Sequence, residues 1–303
     1  MSTASRPQEI FSITSARVSE GGIALDQGIT SGLVDHRGVI EMPAYGVLAE
    51  SATSGAYWRT FAEPVGTVQS FLTLCAGVPA RVGDLLCATG VMAYRDEDYG
   101  VPTVTVTNQA RDVICSGVGR TVRVGRTTAA LRELDPAAFS TSSAMPPPPP
   151  DVDNTVSDIP PRWDGRRILT ALARGDIARG PLSELLAVTV TADEEPIVAV
   201  EPQPWMANPL GAIQGGVIAA LIGQACSLAG QAHTAPGDTY MIADLSVYYF
   251  RSPPVDGRSL TMSTSTQRLG RRMATVSAVM ADRGGTEYVH AMANIAYDRS
   301  GAF

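Results

Sequence analysis

The sequence predicts an α+β fold made of two tandem units, each with one long central helix wrapped by a curved antiparallel sheet. Three observations predict it. β-Rich segments follow one another at short intervals, a helical stretch precedes each set of strands, and the same order of elements occurs in both halves of the 303-residue chain. Strands joined by short turns pair antiparallel, and a helix with an apolar face buries that face against such a sheet.

Composition limits the classes of protein to which the chain can belong. Hydrophobic residues make up 45% of it and charged residues 17%, so we expect a packed core rather than global disorder. The net charge of −7, without a long basic run, argues against a nucleic-acid partner. No apolar run approaches the length of a membrane span, and the N-terminus lacks the apolar centre of a secretory signal. We therefore expect no membrane insertion and a cytoplasmic location.

Cysteine and histidine are sparse. The four cysteines lie in apolar segments without C-x-x-C spacing, so we expect them to be free, buried thiols. The three histidines show no metal-ligand spacing, which argues against a zinc site. The cysteines are Cys75, Cys87, Cys115 and Cys226, and the histidines are His36, His233 and His290.

The first half contains a helical stretch within Arg37–Ala52, followed by four β-rich segments. Turn signals separate these segments, as in an antiparallel sheet. The predicted strands are "GTVQSFLTLCA", "DLLCATGVMAY", "PTVTVTNQA" and "DVICSGVGRTVRV".

A proline-rich segment, Ser140–Pro161, separates the two halves. Its five consecutive prolines favour an extended spacer over a helix or a central strand. Arg166–Val188 follows with the apolar spacing of a helix. We therefore predict an N-terminal unit at 1–126, a linker with a helical segment at 127–175, and a C-terminal unit at 176–303.

The second half repeats the order strand, loop, helix and four strands. "ADEEPIVAVEP" supplies the first strand, and "NPLGAIQGGVIAALIGQA" reads as a loop, a Gly-Gly turn and a helix without charged residues. The segments "SPPVDG", "GRR" and "RGG" are turn signals between the later strands. Those strands are predicted at Thr239–Arg251, Ser259–Leu269, Met273–Asp282 and Glu287–Asp298.

The two halves can be aligned without a gap around their helices, which favours an internal duplication. Arg37–Ala52 lies under Leu210–Ala225 in this alignment. Further downstream, "VPARVGDLL" lies under "SPPVDGRSL". The matched pairs are Asp35 with Asn208, Gly38 with Gly211, Ile40 with Ile213, Leu48 with Leu221, Ala52 with Ala225 and Gly83 with Gly257.

At these residues the chain resembles a known family. "N-x2-G-x2-Q-G-G-V-I-A-A-L", followed by "ADLSVYYFRSPPVDGRSL" and "RLGRRMATVSAVMAD", is similar to the hotdog-fold acyl-CoA thioesterases of the phenylacetate-pathway (PaaI) type. The resemblance covers residues 186–298, and residues 20–126 resemble a weaker second copy. It implies a double hotdog, in which two units of one chain pack as a pseudo-dimer. Hotdog proteins have several activities, so the fold alone does not fix the reaction.

The resemblance implies an active site shared between the units. In the family, an Asn and a Gly-Gly loop of one unit face a carboxylate on the helix of the other. Gln214 stands where the family has His, and Gly223 stands where it has the carboxylate. In the repeat alignment Glu50 lies under Gly223, and Met42-Pro43 replaces the glycine turn. The defects of the two units are complementary, so we predict one working site per chain.

Hydrolysis of a thioester at that site needs an oxyanion donor and a group that activates water. The N–H of Gly215 at a helix start suits the first role, and Glu50 would be general base or nucleophile. Asn208 would hold the water or the carboxylate, or would only cap its loop. Thr67 is a possible hydroxyl partner of Glu50, with a register uncertain by one or two residues. The substrate would also meet Gly216, Gln214 and Gln224.

Acyl-CoA is the expected substrate, so coenzyme A enters as part of the substrate and no separate cofactor is expected. Its phosphates would bind arginines, which match phosphate oxygens in a bidentate fork. Arg268, Arg271 and Arg272 surround Gly270 between two strands, although a solvated turn is the alternative. The corresponding turn of the first unit, Arg95–Gly100, is acidic.

Two other functions are open. Loss of the family His and of the second acid would suit a non-catalytic acyl-CoA-binding protein. An enoyl-CoA hydratase would need an Asp and a His, and Asp35-His36 are adjacent in sequence but need not converge. The acyl length is not determined, and association of whole chains into a homo-oligomer is plausible.

Overall fold

A computed structural model gives the fold of the chain. It describes residues 7–19, 22–125, 128–129, 155–193 and 195–299. The five consecutive prolines and most of the predicted linker lie outside the described residues. Within them, no helix is long and apolar enough to cross a membrane, and no group of three or more His, Cys, Asp or Glu residues could hold a metal ion.

The described residues contain the predicted strands in the predicted order, together with elements that were not predicted, among them Pro7–Ile10, Ile13–Ser19, Gly22–Gly28 and Val188–Val190. The helices are α1 Pro7–Ile10, α2 Gly46–Trp58, α3 Gly165–Arg174, α4 Pro181–Leu185 and α5 Gly215–Gln231. The strands are β1 Ile13–Ser19, β2 Gly22–Gly28, β3 Gly66–Ala76, β4 Leu85–Arg95, β5 Tyr99–Thr107, β6 Val113–Val124, β7 Val188–Val190, β8 Ile197–Val200, β9 Thr239–Tyr249, β10 Leu260–Leu269, β11 Met273–Asp282 and β12 Glu287–Asp298.

All twelve strands join one antiparallel sheet. Their order is β1-β2-β4-β5-β6-β3-β9-β12-β11-β10-β8-β7, so each half of the chain supplies a continuous side of the sheet. Helix α2 contacts strands of the first half, α5 contacts strands of the second, and the two helices contact each other. The predicted α+β class with a large antiparallel sheet is thereby confirmed.

The burial of helix α5 explains why its sequence has no charged residue. Every residue from 216 to 231 is buried, because α2 covers one side of the helix and strands cover the other. A helix enclosed on all sides is apolar all round rather than amphipathic.

The loops before α2 and α5 have the same local structure. The Asp35 carboxylate accepts hydrogen bonds from backbone N–H groups two and four residues later, at 2.7 and 3.1 Å. The Asn208 side-chain oxygen does the same at 2.9 and 3.2 Å. Gly38 and Gly211 then take φ values of 77° and 80°, a conformation that glycine adopts without strain. Positions paired by the sequence alignment therefore have equivalent conformations.

The central strands of the two halves pair at positions separated by the offset of the repeat alignment. Thr73 of β3 pairs directly with Ser246 of β9, and their hydroxyl oxygens lie 2.8 Å apart. These residues are 173 positions apart (246 − 73), the offset that relates Gly223 to Glu50 (223 − 50). Each central strand thus pairs with its own counterpart, which brings the N-terminal parts of α2 and α5 together.

The predicted helical segment Arg166–Val188 forms two helices rather than one. Gly175 ends α3 with φ 75°, and Gly180 precedes α4 with φ 85°. These left-handed positions interrupt the apolar spacing that predicted a continuous helix.

All four cysteines are free. Cys115 and Cys226 are buried, as predicted, whereas Cys75 is exposed and Cys87 is intermediate. The prediction of burial is wrong for Cys75 because its side chain lies on the outward face of β3.

Candidate active site

Glu50 lies at the contact between the two halves of the chain. It projects from the second turn of α2 and is only 4% exposed. The side-chain amide of Gln214, the residue before α5, donates a hydrogen bond to its carboxylate. The structure therefore brings an acid of the first half to the helix start of the second half.

The glycine turn at the start of α5 packs directly against this carboxyl group. A Cβ atom at Gly215 would lie 2.9 Å from Glu50 Oε1, and one at Gly216 would lie 2.5 Å from Val47 Cα. The second distance is impossible for any side chain. Close approach of α2 and α5 therefore requires glycine at 216, and the Glu50 carboxyl leaves little room for any other residue at 215.

The environment of Glu50 favours its protonated form relative to a carboxylate in water. Burial raises the pKa of Glu50 from 4.5 to about 7. Hydrogen bonds from the Ser54 side chain, the Gly216 backbone N–H and the Gln214 side chain oppose that change. A buried carboxylic acid that titrates near neutral pH is suited to accept and return a proton.

Gln214 is fixed at both ends of its amide. Its Oε1 accepts a hydrogen bond from the Val217 N–H at 2.9 Å, which caps the first turn of α5. Its Nε2 donates to Glu50. The residue that replaces the family His thus joins the helix cap to the acid, while the Gly215 N–H has no recorded partner among the described residues.

Within the described part of the chain, neither Asn208 nor Thr67 is hydrogen-bonded to Glu50. The described hydrogen bonds of the Asn208 side chain stay within its own loop, which favours the capping interpretation. On β3 the residue beside Gly215 is Gln69, whose Cβ would lie 3.3 Å from a Cβ at Gly215. Gln69 stands two residues after Thr67, on the same face of the strand.

Two residues near the turn were missed by the sequence analysis. Gln69 accepts a hydrogen bond from the Thr121 hydroxyl and donates one to the Phe71 carbonyl, both at 2.8 Å. The Tyr249 hydroxyl donates to the Gly215 carbonyl at 3.0 Å. The stated uncertainty in the register of β3 would have admitted Gln69, but no sequence signal pointed to Tyr249.

Gly223, which matches Glu50 in the repeat alignment, is enclosed by neighbouring side chains. We call the region around Glu50 and Gly215 the first pole, and the region around Gly223 and Pro43 the second pole. A Cβ at Gly223 would lie 3.2 Å from Pro43 Cγ and 3.3 Å from Leu245 Cδ2. Gln224, predicted to meet the substrate, is buried there with its amide 3.4 Å from the Ser183 hydroxyl. The structure therefore does not bring Gln224 to Glu50.

An ionic cluster also occupies this second pole. Arg37 pairs with Asp35 and, at 2.8 Å, with Glu41, and its guanidinium lies 3.7 Å from the centre of the Tyr240 ring. The Ser227 hydroxyl donates to Glu41. Burial raises the pKa of Glu41, whereas the charge of Arg37 opposes that change. Glu41 therefore has a cationic partner, whereas the groups that bind Glu50 are uncharged.

The Asp35-His36 pair does not converge on a common point. The buried His36 ring is hydrogen-bonded to Gln231 at 3.0 Å, while the Asp35 carboxylate binds Arg37 and backbone N–H groups. Both residues belong to the second pole rather than to the Glu50 site.

The predicted arginine turn lies at the opposite end of α5. His233, just after the helix, bonds Thr266 at 2.8 Å, and Arg299 bonds the Arg271 carbonyl and the His233 carbonyl. Helix α5 has 17 residues, or about 25 Å of length. The turn is therefore remote from Gly215, although its three arginines, Arg268, Arg271 and Arg272, are exposed.

Another exposed arginine lies nearer to the glycine turn. Arg251 stands between Tyr249, which bonds Gly215, and Pro253, whose carbonyl accepts the Ile213 N–H at 2.9 Å. It therefore borders the segment that leads into α5.

Comparisons with known proteins agree with this architecture. Residues 202–296 match the family described as acyl-CoA thioesterase N-terminal domain. An acyl-CoA thioesterase II TesB2 from Mycobacterium marinum has a TM-score of 0.59 at 12% identity, over 98% of this chain and 98% of that chain. No curated protein sequence gives a significant match.

Two further solved structures are similar over nearly the whole chain. A conserved protein of unknown function with a hot dog fold, from Alicyclobacillus acidocaldarius, has a TM-score of 0.58 at 12% identity, over 96% of this chain and 97% of that chain. The 12:0-ACP thioesterase from Umbellularia californica has a TM-score of 0.54 at 10% identity, over 93% of this chain and 100% of that chain. The protein thus has the hotdog fold, and its residues 202–296 carry the sequence match to the acyl-CoA thioesterase family.

Proposed function

We propose that the protein hydrolyses acyl-CoA thioesters at a single site between two hotdog units of one chain. The observation that carries the proposal is the meeting of Glu50, from the first half, with Gln214 and the Gly215–Gly216 turn, from the second. The match of residues 202–296 to an acyl-CoA thioesterase family supports the substrate class. The ionic cluster and the Gly223–Pro43 contact support a single site rather than two.

Glu50 acts as general base in the proposed reaction. It takes a proton from water, and the water oxygen attacks the thioester carbonyl carbon. The Gly215 N–H, at the positive end of α5, donates to the oxyanion that forms. The C–S bond then breaks, and the leaving sulfur takes the proton from Glu50, which yields a carboxylic acid and the coenzyme A thiol. Attack by Glu50 itself, through an anhydride, is the alternative.

The neighbouring residues have supporting roles in this proposal. Gln214 orients the carboxylate, Gly216 allows the helices to approach, and Asn208 shapes the loop that leads to the turn. Thr67 and Gln69 belong to β3, the strand beside the glycine turn.

The wider organisation is proposed on the same basis. The units are 1–126 and 176–303, joined by the linker 127–175, in a PaaI-like double hotdog. Coenzyme A enters only as part of the substrate, the location is cytoplasmic, and whole chains can associate further.

Hydrolysis of a panel of acyl-CoAs, short to long, tests the function. We expect release of the coenzyme A thiol by the wild type and a loss of at least about 100-fold in kcat for Glu50→Gln, because the amide cannot accept a proton. The kcat of the wild type should rise with pH through about 7, where Glu50 loses its proton. Glu41→Gln is the matched control, since it removes another buried glutamate carboxylate, at the second pole.

Three results would contradict the proposal in different ways. Binding of acyl-CoA without turnover of any chain length would favour a non-catalytic binding protein. Turnover that is unaffected by Glu50→Gln would leave the hydrolase but reject the site. Hydration of an enoyl-CoA without thiol release would favour a hydratase.

A further inference from the structure

The peptide group between Gly215 and Gly216 lies between the Tyr249 hydroxyl and the Glu50 side chain. Its carbonyl oxygen accepts a hydrogen bond from the Tyr249 hydroxyl at 3.0 Å. Its N–H belongs to Gly216, which packs against Glu50, since a Cβ at Gly216 would lie 3.1 Å from Glu50 Cβ, and this backbone group lowers the pKa of the Glu50 carboxyl. Because a peptide unit is planar and rigid, whatever fixes the carbonyl also fixes the direction of the N–H.

Tyr249 is well placed to act as that fixed point. It is the last residue of β9, which lies in the middle of the sheet between β3 and β12. Its ring packs against the hydrophobic core. Burial, followed by the charge of Glu50, raises the pKa of the Tyr249 phenol well above its usual value, so the hydroxyl stays a donor.

We propose that Tyr249 is a positioning residue, which holds the Gly215–Gly216 peptide so that its N–H points at Glu50 and is polarised toward it. A donor on the carbonyl oxygen of an amide strengthens the hydrogen bond that its N–H makes. Tyr249 thereby favours the ionised form of Glu50, which is the form that accepts a proton from water. This inference rests on the proposed function of Glu50.

The side chains around Glu50 allow an effect of Tyr249 on the Glu50 pKa to be measured separately. Helix α2 contributes Ser51 and Ser54, the start of α5 contributes Gln214, and β3 contributes Gln69. All of these side chains are uncharged. Tyr249 from β9 is a titratable side chain that interacts electrostatically with Glu50.

Tyr249→Phe removes the donor and keeps the ring. We expect the pH midpoint of kcat to move upward by about 0.5, because a weaker N–H bond stabilises the carboxylate less. Tyr248→Phe is the matched control. Tyr248 is the preceding tyrosine, is 47% exposed and stacks on Phe71, so its substitution should leave the midpoint in place. A lower kcat at every pH with an unmoved midpoint would reduce Tyr249 to a structural role and overturn the proposal.

A second measurement separates this inference from the proposed reaction. The difference in unfolding free energy between chains with Glu50 and with Glu50→Gln, followed against pH, reports the Glu50 pKa without any turnover. We expect Tyr249→Phe to move that titration upward as well, and an unmoved titration would overturn the inference. Absence of hydrolysis by the wild type would reject the proposed function, while the stability titration would still decide the role of Tyr249.

Discussion

Two buried carboxyl groups occupy matched poles of the molecule with opposite kinds of neighbour. Glu41 pairs with the guanidinium of Arg37, whereas the hydrogen bonds that oppose the raised pKa of Glu50 come from neutral donors. Burial raises the pKa of both carboxyl groups, but the cation beside Glu41 opposes that change, whereas only uncharged donors oppose it at Glu50. This difference is the physical reason to assign chemistry to Glu50 and packing to Glu41.

The raised pKa of Glu50 predicts a stability cost at high pH. Folding shifts the pKa from 4.5 to about 7, so the folded chain binds the proton more tightly than the unfolded chain. The stabilising contribution is fully present below pH 4.5 and is lost as pH rises through about 7, to a total of about 3 kcal/mol. Glu50→Gln should therefore raise the free energy of unfolding relative to wild type at pH 8, but not at pH 4.5.

Denaturant unfolding of both proteins at the two pH values provides the measurement. A difference between them that does not change with pH would mean that the Glu50 carboxyl keeps an ordinary pKa in the folded chain. If Glu50→Gln gains unfolding free energy at pH 8 and also loses turnover, then Glu50 supports activity at the expense of stability.

Sequence reasoning identified some site residues and missed others for physical reasons. Glu50 was found through the offset between the halves, which is a property of the chain. Gln69 and Tyr249 reach the turn through strand pairing across the sheet, and nothing local in the chain encodes that contact. The prediction of Thr67 was two residues away from Gln69, which lies beside Gly215. Residues two apart on a strand share a face, so the predicted face of β3 was the right one.

Among the elements, the start of α5 contributes several contacts of the candidate site. Gln214 caps the helix with one end of its amide and binds Glu50 with the other. Side-chain length separates the two tasks, because a shorter amide still caps but cannot reach across to α2.

Substitution of Gln214 should therefore divide stability from activity. Gln214→Ala loses both contacts, and we expect a loss of about 1 kcal/mol in unfolding free energy together with lower kcat. Gln214→Asn keeps a good capping residue, so it should recover most of the stability while kcat stays low. Thermal unfolding and initial rates on the same samples measure the two effects. Equal recovery of both would show that the contact with Glu50 does not matter.

Most elements followed from the sequence pattern, and the exceptions have local causes. β3, β11 and β12 begin and end at the predicted residues. β5 lies earlier than predicted because the Asp96 carboxylate accepts the N–H groups of Asp98 and Tyr99, which sets a tight turn and starts the strand at once. The bond from Asn108 N–H to the Asp112 carbonyl closes the next turn. Side-chain turns of this kind are weakly encoded in hydrophobic patterning.

On the scale of the molecule, the arginine turn and Glu50 are far apart, so the phosphates of the proposed coenzyme A substrate have two alternative locations. The turn that holds Arg268, Arg271 and Arg272 lies beyond the C-terminal end of α5, and the acid lies at its start. Arg251 borders the segment that enters the glycine turn.

Comparison of two variants tests the two locations. We expect Arg251→Ala to raise KM for acyl-CoA by about 10-fold, the size of one charge-assisted contact to phosphate, with kcat little changed. The triple variant Arg268→Ala, Arg271→Ala and Arg272→Ala should change KM by less than about twofold. The reverse pattern would restore the arginine turn as the phosphate site. An acyl substrate without coenzyme A should lose the Arg251 effect.

Positions paired by the repeat in the sequence have the same local structure: Gly38 and Gly211 take similar positive φ values, and Thr73 pairs with Ser246 at the centre of the sheet. The limits of the repeat lie where the halves differ. The proline-rich segment has no counterpart to align, and the ionic cluster arose from residues whose partners, Tyr240 and Ser227, are far away in sequence.

The pairing of Thr73 with Ser246 has a consequence for inheritance. In an assembly of two identical chains, every mutation changes both poles at once, so loss of an acid at one pole means loss at both. Here the two halves belong to one chain, and each half has its own sequence. A substitution such as glycine at 223 or proline at 43 alters one pole and leaves the other untouched. If the two halves descend from one duplicated unit, the acid and the glycine turn that face each other are what remains of two equivalent sites.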